Sequence, residues 1–262
     1  MKTAIVFLTT IPQGNTLQFR TEVSKHFDTF IVADTTEDLG LSSKIIQISD
    51  KTCVDNGYVG CNISGNETHI KKQVIAYDKF LYVFCEKLTE YDFVWVFEED
   101  VFIPSTDTIL NLHKNYCQYD LVTPNNFLKQ DTLPDWHWQH IFDKIEPPYY
   151  YSMVCAMGIS RVMLNKIKEY VGNKHHLFHI EAMFNTIAMQ NNLFVIDPLE
   201  FKSIVWQGAW GLDEFLLLPN NVFHPVKDIE NHPKLRGEIQ DYMFRSDYQP
   251  KNKLPNFINE LL

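Results

Sequence analysis

The sequence predicts an α/β fold in which a mostly parallel central sheet is covered by helices on both faces. Three observations predict it. Short apolar runs alternate with amphipathic stretches along most of the chain, the pattern of buried strands joined by helices. Several of these runs end in polar residues, as expected of strands whose C-terminal ends carry a ligand site. The 262 residues, 45% hydrophobic and 14% aromatic, supply one sizeable core, and no repeat, low-complexity tract or clear linker divides them.

Taken in order, residues 4–8 form a compact apolar run ending in Thr9-Thr10, and 16–26 suit a helix. Residues 29–33 are a second run, ending at Asp34-Thr35-Thr36, and 44–48 a third strand. The stretch 49–65 is rich in Gly, Asn, Asp and Cys and reads as a long loop. A long helix is expected over 68–88, where Ile70, Val74, Tyr77, Leu81, Phe84 and Leu88 recur at helical spacing. Residues 93–97 are a fully apolar strand stopped by Glu98-Glu99-Asp100. A helix over 107–116 leads to a strand over 121–123, which Pro124 ends. Another strand is expected over 152–159, then a helix capped by Ser160 and running to Val171. The helix 179–190 and the strand 193–196 follow, ahead of Asp197-Pro198.

A formal charge of -10 speaks against a general affinity for nucleic acid or anionic membrane. A polyanionic ligand fits only where lysines or a divalent cation reverse the local field. Five cysteines lack the paired short spacings of a zinc site. Cys53 and Cys61 suit a disulfide in an oxidising compartment, whereas a reduced intracellular enzyme leaves them as thiols. Asn62-Ile63-Ser64 and Asn66-Glu67-Thr68 match the glycosylation sequon, a triplet that also arises by chance. Within the start, 1–11, the run 4–8 reads as a first strand rather than part of a signal peptide, and no later stretch approaches the roughly 18 apolar residues of a membrane span. A soluble, intracellular (cytoplasmic) protein is expected.

Three consecutive acids at a strand end concentrate negative charge. Such groups persist where a cation or a hydrogen-bond network stabilises them, and Mg²⁺ or Mn²⁺ shared with ligand phosphates is one solution. A solvated acidic turn is the other. The run 95–101 resembles the DxD-type motif of GT-A glycosyltransferases, in its Glu-Glu/Asp-Asp variant that ends a hydrophobic strand. The resemblance extends over about residues 3–227. It implies a Rossmann-like GT-A sandwich with about 1–105 as the nucleotide-binding half, 106–230 as the acceptor half and 231–262 as a C-terminal tail of one domain.

The resemblance implies a role for each candidate. Asp100 is the metal ligand, with Glu98 and Glu99 on the donor ribose or around the metal. Thr9, Thr10 and Asp34 would hold base and ribose, although Asp34 also suits a plain turn cap. In Phe223-His224-Pro225-Val226-Lys227, His224 would join the metal and Lys227 the diphosphate; His224 reads equally as a loop histidine. Lys71, Lys72 and Lys79 could face phosphate or solvent. Glu181, off the apolar stripe of its helix and in its first turn, would be the base that activates an acceptor hydroxyl, or a glutamate placed there for stability. Asp135, between Pro134 and Trp136-His137-Trp138, is the reserve base, and that Trp-rich loop suits sugar stacking or packing on itself.

The implied reaction moves a sugar from a UDP-sugar to a glycan or glycoprotein hydroxyl; the presence of a candidate base favours inversion at the anomeric carbon, and a retaining mechanism, which needs no such base, is the alternative. The Asn-, Ile-, Lys- and Phe-rich composition also resembles that of glycosyltransferases of large DNA viruses and protists. A nucleotidyltransferase shares strand-end carboxylates and a divalent metal, but it normally carries a basic Gly-rich loop after the first strand, and 9–16 has no Arg or Lys. A non-catalytic sugar-binding protein on the same fold is the third reading.

Overall fold

The computed structural model describes residues 1–12, 14–35, 44–62, 73–131, 133 and 138–243. In chain order the elements are β1 (Thr3–Thr9), α1 (Gly14–Val23), β2 (Asp28–Ala33), β3 (Ile45–Ile46), α2 (Asp50–Asp55), α3 (Ala76–Glu86), β4 (Phe93–Glu98) and α4 (Thr106–Tyr116). They continue with β5 (Leu121–Val122), β6 (Phe127–Leu128), β7 (Tyr150–Tyr151), β8 (Ala156–Ser160), α5 (Arg161–Lys174), α6 (Ile180–Gln190), β9 (Val195–Ile196), α7 (Leu212–Leu217) and α8 (His232–Met243).

Seven strands form one sheet in the order β3-β2-β1-β4-β8-β5-β9, and β6 and β7 pair apart from it. The pairs β3–β2, β2–β1, β1–β4 and β5–β9 are parallel; β8 runs antiparallel to both β4 and β5. Period-2 alternation sends Val6, Val32, Val94 and Met157 to one face, where they pack with residues of α3, α5 and α6. Ile5, Ile31, Trp95 and Ala156 face the other way, toward α1 and α4. The result is a Rossmann-like α/β sandwich with a mostly parallel sheet.

One close approach sets the β4–β8 register. Trp95 is opposite Gly158, and a Cβ on Gly158 would lie 2.7 Å from the Phe93 ring and 2.9 Å from the Trp95 ring. Glycine leaves room for two aromatic rings to cover the strand.

The observed elements depart from the expected ones in several places. Within 49–65 there is a short helix, α2, because Ser49 accepts the Thr52 N–H at 3.1 Å and caps it. The helix expected over 68–88 begins at Ala76, where the Asp78 carboxylate accepts the Ile75 N–H at 2.8 Å and fixes the first turn. Lys71, Lys72, Ile70 and the Asn66 sequon lie outside the described residues, as do Ile63 and Ser64 of the other sequon. The strand expected over 152–159 begins at Ala156 and is antiparallel. The stretch read as a C-terminal tail contains α8, whose Arg236 guanidinium lies 3.8 Å from the Phe19 ring and whose Nε donates to the Ile103 carbonyl.

Cys53 and Cys61 are buried free thiols, and burial pushes Cys53 up to about 12 and Cys61 upward too. Among the described residues no helix is long and apolar enough to cross a membrane.

Candidate active site

The parallel strands β2, β1 and β4 deliver their C-terminal ends to one edge of the sheet, where Asp34, Thr9 and Glu98 follow one another. The Asp34 N–H donates to the Thr9 carbonyl at 2.8 Å, so the first two of these ends are stitched together. Because β8 is antiparallel, its beginning lies at the same edge: the Glu98 N–H donates to the Cys155 carbonyl at 2.8 Å.

A late segment closes the site. Phe102 and Phe223 exchange backbone hydrogen bonds at 2.8 and 3.0 Å, and the Val226 N–H donates to the Asp100 carbonyl at 2.9 Å. This short pairing lays His224 and Lys227 against Asp100. His224 Nε2 is 3.5 Å from Asp100 Oδ2, and the Lys227 ammonium donates to the same oxygen. Sequence position separates these residues widely; the backbone ladder brings them together.

The acids of the triplet diverge. Glu98 accepts a hydrogen bond from the Tyr77 hydroxyl at 2.8 Å, and Glu99 accepts one from the Thr9 hydroxyl. Burial, and then the neighbouring Asp100 charge, push the Glu98 carboxyl up to about 7. Burial also opposes ionisation of Asp100, but His224 and Lys227 outweigh it and hold that carboxyl at about 2. His224 is shifted upward, because Asp100 outweighs the burial that disfavours its charge.

Glu98, Asp100 and His224 each offer a ligand atom, all within 4.8 Å of one another. Two carboxylates and one imidazole are a fitting donor set for Mn²⁺, and less so for Mg²⁺, which prefers oxygen alone. A cation here would also relieve the repulsion between Glu98 and Asp100. His224 Nδ1 lies 3.0 Å from the Val205 carbonyl; a carbonyl only accepts, so Nδ1 carries the proton and Nε2 faces the carboxylates.

Two clefts meet at this group. The larger, about 590 Å³, is lined by Thr9, Thr10, Asp34, Tyr77 and Glu99. The smaller, about 220 Å³, is lined by Met153, Ile180, Glu181, Trp206 and His224. Glu98, Asp100 and Lys227 line both.

Most of the candidate residues therefore converge: Thr9, Thr10, Asp34, Glu98, Glu99, Asp100, His224 and Lys227, with Glu181 across the smaller cleft. Lys79 is placed differently. It is fully buried, with its ammonium 2.9 Å from both Asp34 and Asp50, and of these two carboxylates Asp34 lines the larger cleft. Desolvation opposes its charge, yet the two carboxylates raise it above the ordinary lysine value. Asp135 lies outside the described residues. Trp138 is buried against Phe142, Tyr149 and Tyr151.

Two lining residues gave little sign of themselves in the sequence. Tyr77 reads as part of an apolar helix stripe, and only its hydroxyl marks it out. Trp206 sits in a short irregular stretch, where an aromatic followed by Gln207 and Gly208 is the cue. No protein-family model matches the chain, and no curated protein matches it.

Proposed function

We propose that the chain is a GT-A-type glycosyltransferase that moves a sugar from a nucleotide-sugar donor, a UDP-sugar, to a hydroxyl of a glycan or glycoprotein. The observation that carries this reading is the pair of clefts sharing Glu98, Asp100 and Lys227 as a common wall. A diphosphate lying along that wall would have its nucleoside on the larger side and its sugar facing the smaller.

On the larger side, Thr9, Thr10 and Asp34 offer hydrogen-bond donors and acceptors to ribose and base. Glu98, Asp100 and His224 would hold Mn²⁺ or Mg²⁺, which supplies positive charge to the departing diphosphate. Lys227 supplies a second positive charge. Its side chain is 75% exposed, so its long stem can turn from Asp100 toward phosphate.

On the smaller side, Glu181 takes the proton of the acceptor hydroxyl. The acceptor oxygen then forms a bond to the anomeric carbon from the face opposite the diphosphate. The bond from that carbon to the diphosphate oxygen breaks, its electron pair leaving with the nucleotide, and the configuration inverts.

Incubation with a panel of nucleotide sugars and Mn²⁺ tests this reading. UDP release from at least one donor, with transfer to an added glycan, is the expected result. Pyrophosphate release from UTP and a sugar phosphate would mark a nucleotidyltransferase, and binding without turnover would mark a sugar-binding protein.

A further inference from the structure

We propose that Trp206 is the platform on which the acceptor stacks, so that the acceptor hydroxyl belongs to a sugar ring rather than to a peptide side chain or a lipid. This rests on the transferase reading of the same cleft.

Trp206 lines the smaller cleft with Glu181 and Met153, yet 69% of its surface is exposed. The other described tryptophans are employed elsewhere. Trp95 and Trp138 are buried in the core. Trp210 packs on Phe223 at 5.3 Å and donates Nε1–H to the His224 carbonyl at 3.0 Å. An indole left open beside a carboxylate is an apolar surface next to a hydrogen-bond acceptor. A pyranose, with an apolar C–H face and hydroxyls at its rim, complements both.

The platform is held in place. Val205, its neighbour, pairs with His224: the Val205 N–H donates to the His224 carbonyl at 3.1 Å, and His224 Nδ1 donates back at 3.0 Å. Gly208 lets the following turn close, since a Cβ there would come within 2.9 Å of the Val205 side chain and 3.1 Å of the Trp210 indole. The backbone around Trp206 is thus tied to the residue that faces Asp100.

Saturation-transfer NMR on the full chain with UDP and Mn²⁺ tests the proposal. The probes are methyl β-glycosides of glucose, galactose, mannose and N-acetylglucosamine, alongside a serine- and threonine-bearing peptide. The proteins are wild type, Trp206→Ala and Trp206→Phe. At least one glycoside should give signals from its C–H face, reduced by about 10-fold or more in Trp206→Ala and partly kept in Trp206→Phe, with calorimetric UDP binding equal in all three. Glycoside signals unchanged in Trp206→Ala, or no glycoside binding to wild type, would overturn the proposal. Trp206-dependent glycoside binding without Mn²⁺-dependent UDP binding would uphold the platform and overturn the transferase reading instead.

Discussion

Val205 and His224 hold each other through two hydrogen bonds, at 3.1 Å from the Val205 N–H and at 3.0 Å from His224 Nδ1. The pair turns a loop histidine into an oriented one, with Nε2 directed at Asp100. If that orientation serves a metal, His224→Ala should weaken Mn²⁺ binding by more than about 10-fold, the scale on which even residues that merely orient metal ligands act. Lys227→Ala should spare Mn²⁺ binding and weaken UDP binding. Calorimetric titration of each variant with Mn²⁺, and then with UDP, separates the two effects.

Glu181 is the second residue whose role can be isolated. Its backbone carbonyl accepts the Ser152 N–H at 2.8 Å, tying the first turn of α6 to the strand beside it. Glu181→Gln leaves that bond intact and removes basicity. Transfer should fall by about 10²-fold or more while UDP affinity stays unchanged. Near-normal transfer would make Glu181 an ordinary first-turn glutamate.

Gly158 tests the packing behind the site. Phe93 and Trp95 are fully buried rings, not flexible ends, so a methyl group 2.7 Å from one of them forces the sheet to shift. Gly158→Ala should destabilise the fold by roughly 1–3 kcal/mol, the usual range for overpacking, measurable by urea unfolding.

His232 links stability to pH. Its Nε2 donates to the Val226 carbonyl at 2.9 Å, one residue before Lys227, and burial depresses its pKa to about 4. A depressed pKa contributes stability above the ordinary histidine value of about 6.5, and that contribution is lost as pH falls through about 4. His232→Gln keeps a donor and cannot titrate. Between pH 7 and 4 the wild type should lose on the order of 3 kcal/mol more than this variant, a difference that urea unfolding at both pH values reads directly.

Much of this was legible in the sequence, for identifiable reasons. The runs that became β1, β2 and β4 are apolar on both faces because both faces are covered, and the acids after β4 stand out against them. Ser160 announced α5 through its cap, accepting the Met163 N–H at 3.1 Å. The direction of β8 was not legible, since an apolar run does not state its partner. The burial of Lys79 was not legible because a lysine on a helix is usually solvated, whereas α3 is buried nearly all round and Asp34 and Asp50 compensate the charge. The approach of His224 and Lys227 to Asp100 depends on the bridge between Phe102 and Phe223, a long-range contact with no periodicity to reveal it.

The central claim is that Asp100, with Glu98 and His224, joins a divalent cation to a nucleoside diphosphate. Calorimetry of UDP binding to wild type and Asp100→Ala, each with Mn²⁺ and with excess chelator, tests it most directly. Wild type should bind UDP with Mn²⁺ and lose most of that affinity with chelator, while Asp100→Ala should bind UDP weakly in both conditions and unfold cooperatively as wild type does. Equal, Mn²⁺-independent UDP binding by the two proteins, or no UDP binding by wild type, would contradict the account.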